Sequence, residues 1–463
     1  MTDERPNIVF IFADEWRGQA TGYAGDPNCR TPHLDRFAAE SINFTNATAG
    51  CPVCCPYRAS LLTGQYPLTH GVIINDVELD PNAYSIARAF NDGGYQTAYI
   101  GKWHVYGSPD GHLGRREVRV PREYQLGFEY WKGFECNHDY NDSPYFFNED
   151  PTPRRWEGYD AFAQSQDAAN YIADHAQDDQ PFLLMLSWGP PHFPLHTAPE
   201  KYRDYYKNRE IVLRPNVPSH LREKAEAELR GYYAHIAALD DAFATVRDAI
   251  DKSDIADNTI FVFAADHGDM RQSQGLKTKL FPWDESVRVP FLLRWPDQPQ
   301  TKGSELSVPI DAPDIMPTLL GLCDLPIPES VEGRDWSPFI RGEEQPTGDE
   351  AAFLTITAEF TEILHNGMKA YRGLRSSRNT YVRNSDGPWL LYDNQIDPYQ
   401  MNNLIGSPEH AALQAKMEKR LQARLDEMGD EFLTGWTYLE RAGLTHYKEV
   451  NSTVQQQWSD PFA

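Results

Sequence analysis

Sulfur is scarce in this chain, with six cysteines in 463 residues: Cys29, Cys51, Cys54, Cys55, Cys136 and Cys323. A scaffold stapled by disulfides needs a denser supply, so that class is set aside. No apolar run reaches the length a bilayer demands. The opening MTDERPNIVF passes at once into a strand-like segment, without the charged and apolar regions of a secretory signal. The expected compartment is therefore the cytoplasm for the chain as written, or the periplasm or exterior if a signal has been removed. Positive charge is in deficit, since 43 Lys and Arg against 68 Asp and Glu give a formal charge of −25. That argues against nucleic acid or a membrane as partner, and an anionic substrate would need a locally cationic pocket. Internal repeats and low-complexity segments are also missing. What remains, 40% hydrophobic and 24% charged, has the composition of a globular protein too long for one ordinary core.

Half of the cysteine lies in one place. CPVCCPYRASLLTGQYP, residues 51–67, holds three cysteines within five positions, beside a proline and an arginine. Disulfide, metal, nucleophile and plain packing are the alternatives. A zinc site would want a second C-x-x-C, which the chain does not have. Elsewhere four apolar, β-branched runs each end in reactive side chains. NIVFIFAD ends at Asp14, YQTAYIGKWH at Lys102 and His104, PFLLMLSWGPPH at His192, and NTIFVFAADHGD at Asp266 and His267. Such runs read as strands buried on both faces, hence a mostly parallel sheet. Helical patterns lie between them, including a long one from Ser219 to Ser253 that keeps Leu229, Tyr233, Ile236, Phe243 and Ile250 on one face. Alternation of this kind predicts the α/β class, whose ligands collect beyond the carboxyl ends of the strands. Any one of these residues could cap a helix or close a turn; six of them at four strand ends read as an active site. In the cysteine segment, Pro56 marks a helix start, with Cys54 just before it and Arg58 one turn in. Helix dipole and guanidinium both favour negative charge there, so an anion site or an activated sulfur is natural.

The order C-x-P-x-R-x-x-x-L-T-G, from Cys54 through Pro56, Arg58 and Leu62 to Thr63 and Gly64, resembles the signature of the type I sulfatases of the alkaline-phosphatase-like superfamily. RPNIVFIFADEWRG, GKWH, PPHFP, AADHGD, KLFPWDESVRVPFLLRWP and LLYDNQIDPYQMNNLI follow in that family's order. The resemblance implies a large, mostly parallel sheet flanked by helices over residues 1–345. A smaller antiparallel α+β domain and a tail would occupy 346–463. It implies that Cys54 is oxidised to formylglycine by a formylglycine-generating enzyme. Asp14, Asp266 and His267 would hold a divalent cation together with the modified Cys54. Hard oxygen donors favour Ca²⁺, with Mg²⁺ and Mn²⁺ open. By the same resemblance Arg58 orients the nucleophile and Lys102 and Lys279 hold sulfate. His104 takes a proton, and His192 protonates the leaving alcohol. Glu15 stands where many members have a second aspartate, and is a further metal ligand candidate. His267 replaces an asparagine, and Tyr57 a serine.

The segment GFEYWKGFECNHDYNDSPYFFNED, with His138, Asp139, Asn141 and Tyr145, looks like the sugar-binding loop of carbohydrate sulfatases, and His70 resembles a pocket-lining position. A sulfated glycan is therefore the expected substrate. Alternatives are a phosphonate or phosphate ester hydrolase of the same superfamily, a glycan-binding protein whose Cys54 stays a thiol, and a Cys51–Cys54 redox pair. The tail from Gly435 matches no pattern and is expected either to cover the pocket or to meet another subunit.

Overall fold

The protein is described by a computed structural model covering residues 5–108, 114–295 and 302–447. Ten strands form one sheet. They are β1 (Asn7–Asp14), β2 (Ile42–Phe44), β3 (Gln96–Lys102), β4 (Tyr130–Phe134), β5 (Pro144–Phe147), β6 (Arg154–Arg155), β7 (Phe182–Pro191), β8 (Thr259–Ala265), β9 (Phe291–Arg294) and β10 (Ser304–Leu306). Their order is β10-β2-β9-β8-β1-β7-β3-β4-β5-β6. The centre, β8-β1-β7-β3-β4, is parallel throughout. Antiparallel pairs appear only outward of it, at β8–β9, β9–β2, β4–β5 and β5–β6. The four runs read as doubly buried strands are β1, β3, β7 and β8, and every residue of β1, β7 and β8 is buried. Continuous apolar sequence is what a strand covered by helices on both faces requires. The long amphipathic pattern is the helix Arg222–Lys252, preceded by one 3-10 turn at Ser219–Leu221.

A second sheet is antiparallel, in the order β11 (Ala351–Ile356), β12 (Tyr371–Ser376), β13 (Asn379–Asn384) and β14 (Gly387–Asp393). Met417, Leu421 and Leu425 of the helix Ala411–Met428 join Phe353, Leu374, Tyr381 and Leu391 in its core. The two sheets meet at Gly50. Its N–H donates to Asp311 Oδ1 (2.8 Å), and its carbonyl accepts from Thr355 N (2.8 Å). A Cβ at this position would fall 2.1 Å from Asp311 Oδ2 and 2.4 Å from the Phe353 carbonyl. Only glycine fits so close an approach. Of the tail, the helix Gly435–Arg441 and the buried Tyr447 are described. Residues 448–463 lie outside the described residues.

Candidate active site

The helix that carries the cysteine motif runs Cys54–Thr63, so Cys54 is its first residue and not the one before it. Pro56 is thus the third residue, still within the first turn where its missing N–H costs nothing, and Asn75 Oδ1 accepts the Cys55 N–H (3.1 Å). Gly64, at φ 70°, ends the helix in the left-handed conformation and donates to Ser60 O. All ten residues of the helix are buried.

Cys54 is 1% exposed and meets the strand ends directly. Its Sγ lies 3.3 Å from His267 Nε2, 3.3 Å from Lys279 Nζ and 3.6 Å from Asp14 Oδ1. A register shift between Ala13 and Asp14 turns the Asp14 side chain out of the regular pleat. Asp14 Oδ2 then accepts from Lys102 Nζ and, at 3.3 Å, from Arg58 Nη2. The same Nη2 donates to Asp266 Oδ2 (3.1 Å), while Arg58 Nη1 donates to the Lys102 carbonyl (2.9 Å) and Ser187 Oγ (2.8 Å). One guanidinium thus ties β1, β3, β7 and the segment after β8 to the cysteine helix. The His267 Nδ1–H donates to the Gly268 carbonyl (3.0 Å), which leaves the Nε2 lone pair facing Asp14, Asp266 and Cys54.

Electrostatics follow from this crowding. Burial pushes the Asp14 carboxyl up, but Lys102, His192, Lys279 and Arg58 outweigh it and hold it well below the usual range. Burial and Asp14 raise the Cys54 thiol, yet Lys279, Lys102 and His267 carry it well below an ordinary thiol. Burial pushes Glu15 well up. The Glu15 carboxylate accepts from Lys279 Nζ at Oε2 (2.8 Å) and from Arg271 Nη2 at Oε1 (3.3 Å), and His192 Nε2 lies 3.1 Å from Oε2. Burial and Lys279 hold His192 well below 6.5.

Ligand atoms of Asp14, Cys54, Asp266 and His267 lie within 4.8 Å of one another, and those of Asp14, Glu15 and His192 form a second such group. Two carboxylates, a sulfur and an imidazole with its lone pair free fit a divalent cation. Glu15 therefore sits beside the principal donor set, bridging Lys279, His192 and Arg271.

His138 joins the site, its ring stacked on His192 with centroids 4.6 Å apart. Asp139 is exposed and accepts the Asn141 N–H in a local turn; the Asn141 side chain donates to the Thr197 carbonyl. Two residues fall elsewhere. His70 accepts the Val72 N–H at Nδ1 and bonds Ser60 Oγ through Nε2, so both ring nitrogens serve the corner after the cysteine helix. Tyr145 packs on Trp156 and under Lys132 within the β4–β5–β6 margin. Missed by motif are Asp76, Arg116, Glu135 and Cys136, which surround His104 from loops that have no periodic pattern.

A helix N-terminal cysteine whose thiol Lys279, Lys102 and His267 hold well below the usual range, set among carboxylates and imidazoles at the carboxyl edge of a parallel sheet, is a setting in which an anionic ester can be bound. Comparison with known proteins gives the family. Residues 6–325 match the Sulfatase family, and 273–427 match the N-sulphoglucosamine sulphohydrolase C-terminal family. An ulvan-active sulfatase of Formosa agariphila is 44% identical, over 94% of this chain and 84% of its own. An endo-4-O-sulfatase of Bacteroides thetaiotaomicron is 31% identical, over 93% and 94%. A sulfatase structure from Bacteroides fragilis superposes with a TM-score of 0.83 at 29% identity, covering 93% of this chain and 98% of that one. This chain belongs to the sulfatase family, within the alkaline-phosphatase-like superfamily, and is a sulfuric ester hydrolase.

Proposed function

We propose that this sulfatase removes sulfate from a sulfated carbohydrate, using Cys54 oxidised to formylglycine and a divalent cation held by Asp14, Asp266 and His267. The observation that carries this reading is the convergence on Cys54 Sγ of His267, Lys279 and Asp14, with Lys102 and Arg58 behind Asp14. Relatives named for ulvan and for 4-O-sulfate support a glycan, and the His138–His192 stack offers a flat wall beside the leaving group. Hard oxygens favour Ca²⁺ or Mg²⁺ as the ion, and the imidazole of His267 leaves Mn²⁺ open.

Hydrated formylglycine supplies two hydroxyls, one to accept the sulfuryl group and one whose deprotonation expels sulfate, while the cation supplies Lewis acidity. The remaining work belongs to side chains of this chain. Arg58, fixed by four acceptors, orients residue 54 and balances Asp14 and Asp266. Lys102, held cationic by Asp14, and Lys279, held cationic first by Cys54 and then by Glu15, bind the sulfate oxygens and stabilise the charge that grows on them. Lys279 and His192 share Glu15 Oε2, so a proton is available between them for the departing alcohol. His104 takes the proton whose loss releases sulfate. Maturation requires a formylglycine-generating enzyme that accepts Tyr57 within the motif.

The reading is tested by mass spectrometry of the peptide bearing Cys54, together with desulfation of a panel of sulfated oligosaccharides. An aldehyde at position 54 and sulfate release from at least one glycan are expected. An intact thiol in fully active enzyme would sink the proposal. Faster cleavage of an aryl phosphonate than of the corresponding aryl sulfate would move the substrate class to phosphonate esters.

A further inference from the structure

We propose that Asp76 is a positioning residue for His104, its carboxylate fixing the imidazole and balancing the charge the ring gains with a proton. The inference rests on the function proposed above and names a residue that no sequence motif marks.

Three histidines of the site, His104, His192 and His267, are oriented differently. His267 and His192 each anchor Nδ1 on a backbone carbonyl, of Gly268 and Phe193. His104 has no hydrogen-bond partner at either ring nitrogen, although the residue is only 3% exposed. A buried imidazole with two open nitrogens needs another source of orientation. The Asp76 carboxylate faces it, with Oδ1 3.6 Å from His104 Nε2.

Asp76 is itself locked in place. Arg116 Nη2 donates to both of its oxygens (3.1 and 3.0 Å). Its N–H points at Cys55 Sγ (3.3 Å), and its carbonyl accepts from Ser108 N (2.7 Å) and from the Tyr447 hydroxyl (2.8 Å). Asp76 and His104 both take the left-handed conformation, at φ 64° and 60°. Non-glycine residues hold such angles only where their surroundings enforce them. Enforcement is visible on the partner loop, where Glu135 accepts the N–H groups of Tyr106 (3.1 Å) and Gly107 (2.8 Å). A Cβ on Gly107 would come within 2.7 Å of the Asp76 carbonyl. Two strained turns are thus pressed together so that one presents a carboxylate to the other's imidazole.

The charges around the ring stabilise a proton that it takes up. Burial works against it, but Cys136 beyond β4, Cys55 on the cysteine helix and Asp76 outweigh burial and Lys102, and the ring is raised well above 6.5. Arg116 and His104 in turn overcome burial and keep Asp76 ionised through the neutral range. Glu135, pushed up by burial to about 7, completes the set. When His104 takes the proton of the hydroxyl that carries no sulfate, the O–H electron pair would form the carbonyl as the C–O bond to sulfate breaks, and the new N–H cation meets a fixed counter-charge. A carboxylate that holds a catalytic imidazole in this way acts without touching substrate.

The test is Asp76→Asn in the full, matured chain. We expect kcat to fall about 10²-fold with KM little changed, and pre-steady-state assays to show a burst of alcohol near one per active site, because the step that releases sulfate is slowed. In parallel, NMR of the labelled His104 imidazole should show it losing its proton at lower pH in the variant than in the parent. Should Asp76→Asn not accumulate as folded protein, Tyr447→Phe, which frees only the Asp76 carbonyl, carries the same expectation at smaller size. Unchanged kcat, or a loss without a burst, would overturn the catalytic part of the inference, and an unchanged His104 titration would overturn the pairing. A parent chain that cleaves no sulfate ester refutes the function proposed above, and the titration still decides the pairing by itself.

Discussion

Among the described residues, two buried clusters of charge differ in kind, one around Cys54 and one where the second sheet packs on the larger body. At the junction, Arg375 Nε and Nη2 each donate to one oxygen of Asp284 (2.8 and 2.9 Å), and Gln400 Oε1 accepts the Asp284 N–H (2.8 Å). Arg372 pairs with Asp430 in the same manner. Each fork matches its carboxylate, and other groups of the chain, Gln400 and Arg288 at Asp284 and Tyr438 at Asp430, take up the remaining valences. Around Cys54 the accounts stay open. Arg58 Nη2 divides itself between Asp14 and Asp266, Glu15 Oε2 serves both Lys279 and His192, and His104 has no hydrogen bond. Burying charge is expensive in both places. Only where the geometry is left shared can a substrate anion or a cation enter and take up the remaining valences. Closure marks the structural cluster, and sharing marks the chemical one.

Substitutions should separate the two. Cys54→Ala should lower kcat by about 10⁴-fold or more, with its thermal unfolding transition retained. Its opposite is Arg375→Ala, which takes from the buried Asp284 its two-pronged partner and leaves it only Arg288 at 3.7 Å and the Gln400 amide. It should cost about 3–5 kcal/mol in denaturant titration, while the folded fraction turns over normally. Lys279→Ala should cost about 10²–10³-fold in kcat, read as turnover of a sulfated oligosaccharide at saturation. The smallest effect is one of pH. Burial raises Asp284, but Arg375 more than offsets this and leaves it below 3.8. A depressed carboxyl pKa contributes stability that is present above the unfolded value and is lost as pH falls through the folded one. Below about pH 4 the parent should therefore lose stability more steeply than Arg375→Met, as followed by thermal melts. Equal slopes would erase the distinction between the clusters.

The legible part of the molecule was what repeats or ends a repeat. β1, β3, β7 and β8 announce themselves because burial on both faces demands unbroken apolar sequence, and Asp14, Lys102, His192, Asp266 and His267 follow because they stand where those runs stop. Edge strands are a different matter. β2, β6 and β10 have three, two and three residues, too few to show a period. Glu15 could be seen as a departure from the family, but its partner Lys279 lies 264 positions away and no local pattern joins them. His70 was legible as a position and not as a role, since its two nitrogens are spent on Ser60 and Val72. Tyr145 sits in an aromatic-rich stretch whose side chains divide between pocket and margin, and alternation along a four-residue strand is too short to sort them. Asp76 and Cys136 lie on turns, where position is decided by contacts from Arg116 and, for Asp76, from Tyr447 at the far end of the described chain.

Gly50 stands one residue before the cysteine segment and touches both Asp311 of the larger sheet's helix and the backbone of β11. Its lack of a side chain welds two bodies at the root of the reactive loop. Separate expression of either half would leave that loop without one of its two abutments. Grafting a foreign C-terminal half onto this chain, to borrow its substrate preference, would succeed only if the graft brought a strand that seats against a bare backbone at residue 50.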